Sequence, residues 1–296
     1  MGGLPLPAQT KIAQRRLFDI INLMLRIKDK EKRLIAFDTL TQLKTKSIPR
    51  NKIIKEINTK FSIPIGTLYT WYSENYIPFG RRGKISHKPE LFYVLGALLG
   101  DGCAYNWKTT NNYTILVGDY NFANKYAKMA TECINTKTKA YIDRNKNIWL
   151  VRSNNFELYS LFKKSRENLD YLEKLINKND KKSALLFIEG FFDAEGCVKI
   201  IKETTRKTPK ICLDITNTNY EALELIKKLL KKYLDINSEY SVQKAKIGND
   251  GFQRKEIYHL RIYKKESIRT FLKNISTTKL NNKKIPYVQK WLNNGR

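Results

Sequence analysis

Two phrases 94 residues apart constrain this chain more than anything else in it: YVLGALLGDG, Tyr93 to Gly102, and FIEGFFDAEG, Phe187 to Gly196. Each is an apolar run of helical length closed by a carboxylate and a glycine. Gly96 and Gly100 stand four residues apart in the first, and Gly190 and Ala194 in the second. Residues at that spacing stack on one helix face. Each run therefore predicts a helix with one nearly bare strip, and two bare strips permit very close helix–helix packing. Side by side, the helices bring Asp101 and Glu195 together at their C-terminal ends. Those ends carry partial negative charge, and like carboxylates repel. A divalent cation relieves both penalties, and oxygen ligands with open water positions suit Mg²⁺. The last-turn carbonyls of Gly100 and Ala194 are candidate further ligands. Asp193 lies about 200° around the helix from Glu195, at about 100° per residue. It is expected to point away from the metal, capping the neighbouring helix or pairing with a base. Its place in the first phrase is held by Leu99.

The flanking sequence repeats as well. After each phrase come a strand pair, a helix, a second strand pair and a helix. The first copy has strands near 103–108, 114–117, 140–143 and 149–152, with a helix over 121–134. The second has strands near 198–203, 211–217, 240–247 and 256–263, with a helix over 219–234. The GNDG turn, Gly248 to Gly251, supports a hairpin between the last two strands. Along IYHLRIY, Leu260 and Ile262 fall on one strand face and His259 and Arg261 on the other. Lys244 and Lys246 likewise share a face. The fold class is thus α+β. Its two halves span 86–180 and 181–296, each with one sheet face free to carry cations.

Charge names the partner. Of 296 residues, 56 are Lys or Arg against 28 Asp or Glu, a net charge of +28. An excess of that size fits a polyanion, nucleic acid first. No run of about 18 apolar residues spans a bilayer, and no apolar signal core opens the chain, so an intracellular protein is expected. The four isolated cysteines argue against structural zinc and read as reduced core residues.

Residues 1–85 read as a separate helical block, with helices over 12–27, 30–44, 51–61 and 66–76. Ser62, Ile63 and Pro64 break the last two, giving a helix-turn-helix outline. Thr67, Tyr69 and Thr70 are its groove-facing candidates. Arg81 and Arg82 follow in a basic linker.

YVLGALLGDG and FIEGFFDAEG resemble the paired motifs of the LAGLIDADG homing endonucleases, and the resemblance covers about residues 89–296. It implies a pseudo-two-fold pair of αββαββα units with saddle-shaped antiparallel sheets, acting as a monomer. It implies Mg²⁺- or Mn²⁺-dependent double-strand cleavage of a long asymmetric DNA site, leaving 3′ overhangs. Two or three ions would be shared by Asp101 and Glu195. Polar residues that orient water in the family match Asp119 and Asn217 best. The lysine common beside them is replaced by Tyr120 and Thr218, so Lys199, Lys244 or Lys246 are its candidate substitutes. Arg152, Lys244, Lys246, His259 and Arg261 are the expected DNA contacts of the sheets. An intron RNA maturase and a DNA-binding regulator are alternatives on the same fold; the presence of both acids argues against the regulator.

Overall fold

A computed structural model describes residues 28–29, 31–73, 84–107, 111–134, 136–201, 209–247 and 252–293. Two compact units are present, one within residues 1–83 and one spanning 84–107 and 111–296. The helix expected at 12–27, the basic pair Arg81 and Arg82, and the GNDG turn all lie outside the described residues.

In the first unit, α1 covers residues 31–44, α2 Arg50–Phe61 and α3 Ile65–Ser73. Pro49 stands just before α2, where its missing N–H costs nothing. Ser62 ends that helix in the left-handed region, φ 48°, and its N–H donates to the Asn58 carbonyl. The Asn58 side chain donates in turn to the Ile63 carbonyl at 2.8 Å, which fixes the break. Ile53, Ile54, Ile57, Leu68 and Trp71 close on Phe37 and Leu40 as a small separate core.

The second unit contains both copies. The first runs α4 (Glu90–Asp101), β1 (Gly102–Trp107), β2 (Asn111–Gly118), α5 (Tyr120–Ile134), β3 (Ala140–Asp143), β4 (Ile148–Asn154), α6 (Phe156–Glu167) and α7 (Leu169–Asn177). The second runs α8 (Lys181–Glu195), β5 (Gly196–Ile201), β6 (Lys210–Asn217), α9 (Tyr220–Leu234) and β7 (Glu239–Gln243). It continues with β8 (Lys246–Ile247), β9 (Gln253–Arg254), β10 (Ile257–Ile262), α10 (Lys265–Asn274) and α11 (Ile285–Asn293). The sheets are antiparallel, in the orders β1-β2-β4-β3 and β5-β6-β10-β7. The strand expected over 240–247 is interrupted between β7 and β8, the one expected over 256–263 is the continuous β10, and β8 and β9 pair as a separate ribbon. Asn155, Asp180 and Asn219 accept from N–H groups in the first turns of α6, α8 and α9, which sets where those helices begin.

Alternation along the strands sends Leu116 and Val151, and Val198, Leu213, Leu260 and Ile262, into one shared core. The other face of each sheet remains open. α4 and α8 lie side by side through that core, and their contact is made by backbone. A Cβ on Gly96 would stand 2.2 Å from the Phe187 carbonyl oxygen, and one on Gly190 would stand 2.1 Å from that of Tyr93. Neither space admits even a methyl group. Cys133 and Cys212 are buried as expected, whereas Cys103 is exposed.

Gly96→Ala is therefore expected to destabilise the second unit by about 3 kcal/mol, the upper end of the usual overpacking cost, because the clashing atoms are main chain and cannot rotate away. Urea titration against the wild type checks this.

Candidate metal centre and nucleic-acid face

α4 and α8 end together. The closing backbone bonds run from the Gly102 N–H to the Leu98 carbonyl and from the Gly196 N–H to the Phe192 carbonyl. The carbonyls of Gly100 and Ala194 thus fall in the last turns, among those left over by a helix end. A Cβ on Gly100 would lie 2.5 Å from the Ala194 Cβ and 3.6 Å from Oε1 of Glu195. The bare strip seen in the sequence therefore places the Glu195 carboxylate against the last turn that carries Asp101.

The electrostatics follow from this geometry. Burial pushes the Glu195 carboxyl up to about 7, and the neighbouring Asp101 adds to the rise. Lys279 and the Asn217 side chain oppose it, with Asn217 Nδ2 donating to Glu195 Oε1 at 2.8 Å. Asp101 keeps an exposed side, yet the surrounding protein still raises its carboxyl, again against Lys279. Two crowded, desolvated carboxylates with leftover carbonyls beside them fit a hard divalent cation. Among the described residues no group of three or more His, Cys, Asp or Glu is set to hold a metal. Such a cation would draw its remaining ligands from carbonyls, water and a phosphate.

Asn217 ends β6 with its side chain on Glu195. Asp119 does not mirror it. Gly102 pairs with Leu116 and Gly196 with Ile215, so the position matching Asn217 is Gly118. A side chain there is blocked, since a Cβ would stand 2.6 Å from the buried Phe122 ring. The Asp119 carboxylate instead accepts from the Phe122 N–H at 3.0 Å, capping α5. Lys199 is also redirected. It pairs with the buried Asp214 across β5 and β6, and the lysine whose charge acts on both acids is Lys279. Sequence reasoning missed Lys279, which follows α10 and lies 84 residues beyond Glu195.

The open face of the second sheet is organised around Asp214. His259 Nδ1 lies 3.2 Å from it and Arg261 Nε 3.4 Å, alongside Lys199. Burial alone would raise the Asp214 carboxyl; Lys199, His259 and Arg261 outweigh it and hold the carboxyl below its usual range. One buried acid thus holds a lysine, an arginine and an imidazole on this face. Arg152, Lys244 and Lys246 are exposed on their strands or the turn between them. In the first unit, the Tyr69 hydroxyl donates to Asn51 at 3.0 Å and its ring lies under Arg50, 4.6 Å away. The Thr70 hydroxyl turns back to the Gly66 carbonyl at 3.1 Å, and Thr67 is half-buried. Of these three, Tyr69 is the most exposed.

The profile of the LAGLIDADG-like domain family matches residues 182–276. The chain is also 30% identical over 249 residues to an uncharacterized protein, MJ0398, of Methanocaldococcus jannaschii, covering 79% of this chain and 85% of that one. The chain belongs to the LAGLIDADG family. Among solved structures it is similar to the homing endonuclease I-DmoI, at 20% identity and a TM-score of 0.45 over 67% of this chain and 96% of that one. It is also similar to the N-terminal LAGLIDADG domain of DUF199/WhiA, at 15% identity and a TM-score of 0.42 over 72% and 90%. Only the second motif falls inside the profile match. The first, in α4, is tied to it here by packing and by the repeated order of elements.

The raised Glu195 carboxyl has a consequence for the metal-free protein. A carboxyl raised on folding favours the folded state while protonated, and that advantage is lost as pH climbs through the folded value. Thermal stability in EDTA is therefore expected to fall as pH rises from about 4.5 through about 7. In Glu195→Gln that decline should flatten. Calorimetry of both proteins across this range reads the difference.

Proposed function

We propose that this chain is a site-specific endonuclease that cuts both strands of a long asymmetric DNA duplex in a Mg²⁺- or Mn²⁺-dependent reaction. The observation that carries the proposal is the meeting of Asp101 and Glu195 at adjacent helix ends, in a chain of net charge +28. The open sheet faces, with Arg152, Lys199, His259 and Arg261, and the stretch from the end of β7 into β8, with Lys244 and Lys246, would lie along the DNA grooves. Asp214 contributes by fixing Lys199, His259 and Arg261 before DNA arrives, which lowers the ordering cost of binding. The α2–α3 pair would add contacts through Thr67, Tyr69 and Thr70.

At the cut site, Asp101 and Glu195 would hold two or three ions with help from the Gly100 and Ala194 carbonyls. Bound there, such ions supply an acidified water and neutralise charge at the attacked phosphate. The chain's own residues do the rest. Asn217, whose amide reaches Glu195, would orient the attacking water. The water oxygen bonds to phosphorus and the P–O3′ bond breaks, leaving a 5′-phosphate and a 3′-hydroxyl. Lys279 offsets part of the negative charge that gathers as this happens. With one motif acid from each half, a monomer suffices for both strands, and offset cuts would leave 3′ overhangs.

The test is direct. Targets are selected as cut duplexes from a random library with Mg²⁺ present, then used with variants. Asp101→Asn and Glu195→Gln should bind the selected duplex as the wild type does, while double-strand cleavage falls by about 10³-fold or more. Wild-type cutting by either variant would remove the metal-site assignment. A wild type that binds DNA without ever cutting it would make the chain a regulator instead.

Binding to the same duplex should weaken by roughly 10³-fold between 50 and 200 mM salt if about six phosphates are contacted. Fluorescence anisotropy across that range measures it. A flat response would remove the sheet faces from the account.

A further inference from the structure

Three charged side chains unused by the proposed chemistry meet beside it. Asp193, on the α8 turn before Glu195, is fully buried. Its Oδ2 accepts from the Tyr93 hydroxyl and from Lys125 Nζ, each at 2.8 Å. Its Oδ1 accepts from the Thr277 hydroxyl and the Thr278 N–H, each at 2.7 Å. Glu189, one turn earlier, receives Lys125 Nζ at 2.7 Å and the Ser276 N–H at 3.0 Å. Lys125 also donates to the Ser276 carbonyl. The Thr277 hydroxyl that binds Asp193 accepts from the Lys279 N–H at 3.0 Å. The segment after α10 is thus tied down residue by residue, and the residue it delivers is Lys279. Its ammonium lies 5.7 Å from the ring centroid of Phe122, the residue that closes off Gly118.

The pseudo-symmetry provides an internal control. Counted from the motif acids, Glu189 and Asp193 correspond to Leu95 and Leu99. α5 and α9 are both 15 residues long and begin at Tyr120 and Tyr220, so Lys125 corresponds to Leu225. Leu95 and Leu225 are buried, and Leu99 packs on the same core. The fold therefore already contains an apolar solution for this place. Swapping a buried ion cluster for apolar groups is often neutral or stabilising, so stability alone does not account for the charged version. Oriented hydrogen bonds to a passing backbone are what leucines cannot supply.

We propose that Lys125, Glu189 and Asp193 form a positioning latch that holds residues 276–279 and so fixes where the Lys279 ammonium stands relative to the paired acids. The inference rests on the endonuclease reading for its consequence, and its geometry is separate from it. The latch joins α5 of the first half to α8 of the second, and the matching positions Leu225, Leu95 and Leu99 are apolar, so the two strands meet unequal surroundings.

The test gives each latch position the residue that the other half carries at the matching place. A Lys125→Leu/Glu189→Leu/Asp193→Leu variant should remain folded by calorimetry and bind the selected duplex with unchanged affinity. Its single-turnover cleavage should drop at least about tenfold. Lys279→Met should cause a similar loss in the wild type and no further loss in the triple variant, since both remove the same charge from the same place. Additive losses, or a triple variant that cuts at the wild-type rate, would overturn the latch. A second readout needs no cleavage. Titrated with Mn²⁺ alone, Lys279→Met and the triple variant should both bind about threefold more tightly or better, because a competing cation has left the acids. Wild-type Mn²⁺ affinity in the triple variant would also overturn the proposal. If the wild type cuts no duplex, the endonuclease reading fails and the Mn²⁺ titration still decides the latch. Should the triple variant not fold, Asp193→Asn is measured in the same way with the same expected directions.

Discussion

Main-chain contact between α4 and α8 is the constraint on which the rest depends. Side chains normally hold two helices 8–10 Å apart. Here Gly96 and Gly190 remove them, and each helix touches the other's carbonyl oxygens. Three consequences follow from one approach. The two sheets are brought to either side of one seam and share a core that includes Phe187, Phe191 and Leu98. The helix ends are forced together, so Asp101 and Glu195 meet although 94 residues separate them. Their crowding, with burial as the larger cause, drives the Glu195 carboxyl up to about 7.

The unit deals with its buried acids in two different ways. Asp214 is fully buried and is held low by Lys199, His259 and Arg261. Asp193 is equally buried and receives four donors. Both are complete as they stand. Glu195 has one amide donor from Asn217 and the more distant charge of Lys279, and its carboxyl rises all the same. That contrast separates Glu195 from the other buried carboxylates of the unit more clearly than burial alone does.

Much of this was legible in the sequence because its signals are short-range. Helical spacing of small residues gave the strip, strand alternation gave the two faces of β10, and the phrase endings gave the acids. The misreadings have a common source, which is that counting along the chain does not give register. Asp119 follows its strand as a polar residue should, yet pairing aligns Asn217 with Gly118, and Phe122 keeps that position bare. Lys199 lies close to Glu195 in sequence, and a cross-strand acid, Asp214, takes it. Lys279 could not be found by proximity at all, because its placement depends on Lys125 and Asp193, 154 and 86 residues earlier in the chain.

A signal for it was nonetheless present, in the disagreement between the copies. Positions that agree, such as Gly96 with Gly190 or Asp101 with Glu195, report what the shared fold and the shared site require. Leu95 with Glu189, Leu99 with Asp193 and Leu225 with Lys125 differ in polarity, and the three polar members converge on one point. Independent drift would scatter such differences over the surface, where they cost little. Three charges placed together inside a core can persist only as a set, because each alone would be a buried, uncompensated ion. A duplicated fold therefore carries its own comparison. Where matching positions are apolar in one copy and charged in the other, the charged residues have acquired a task that packing does not explain, and the backbone segment they grip indicates where to look for that task.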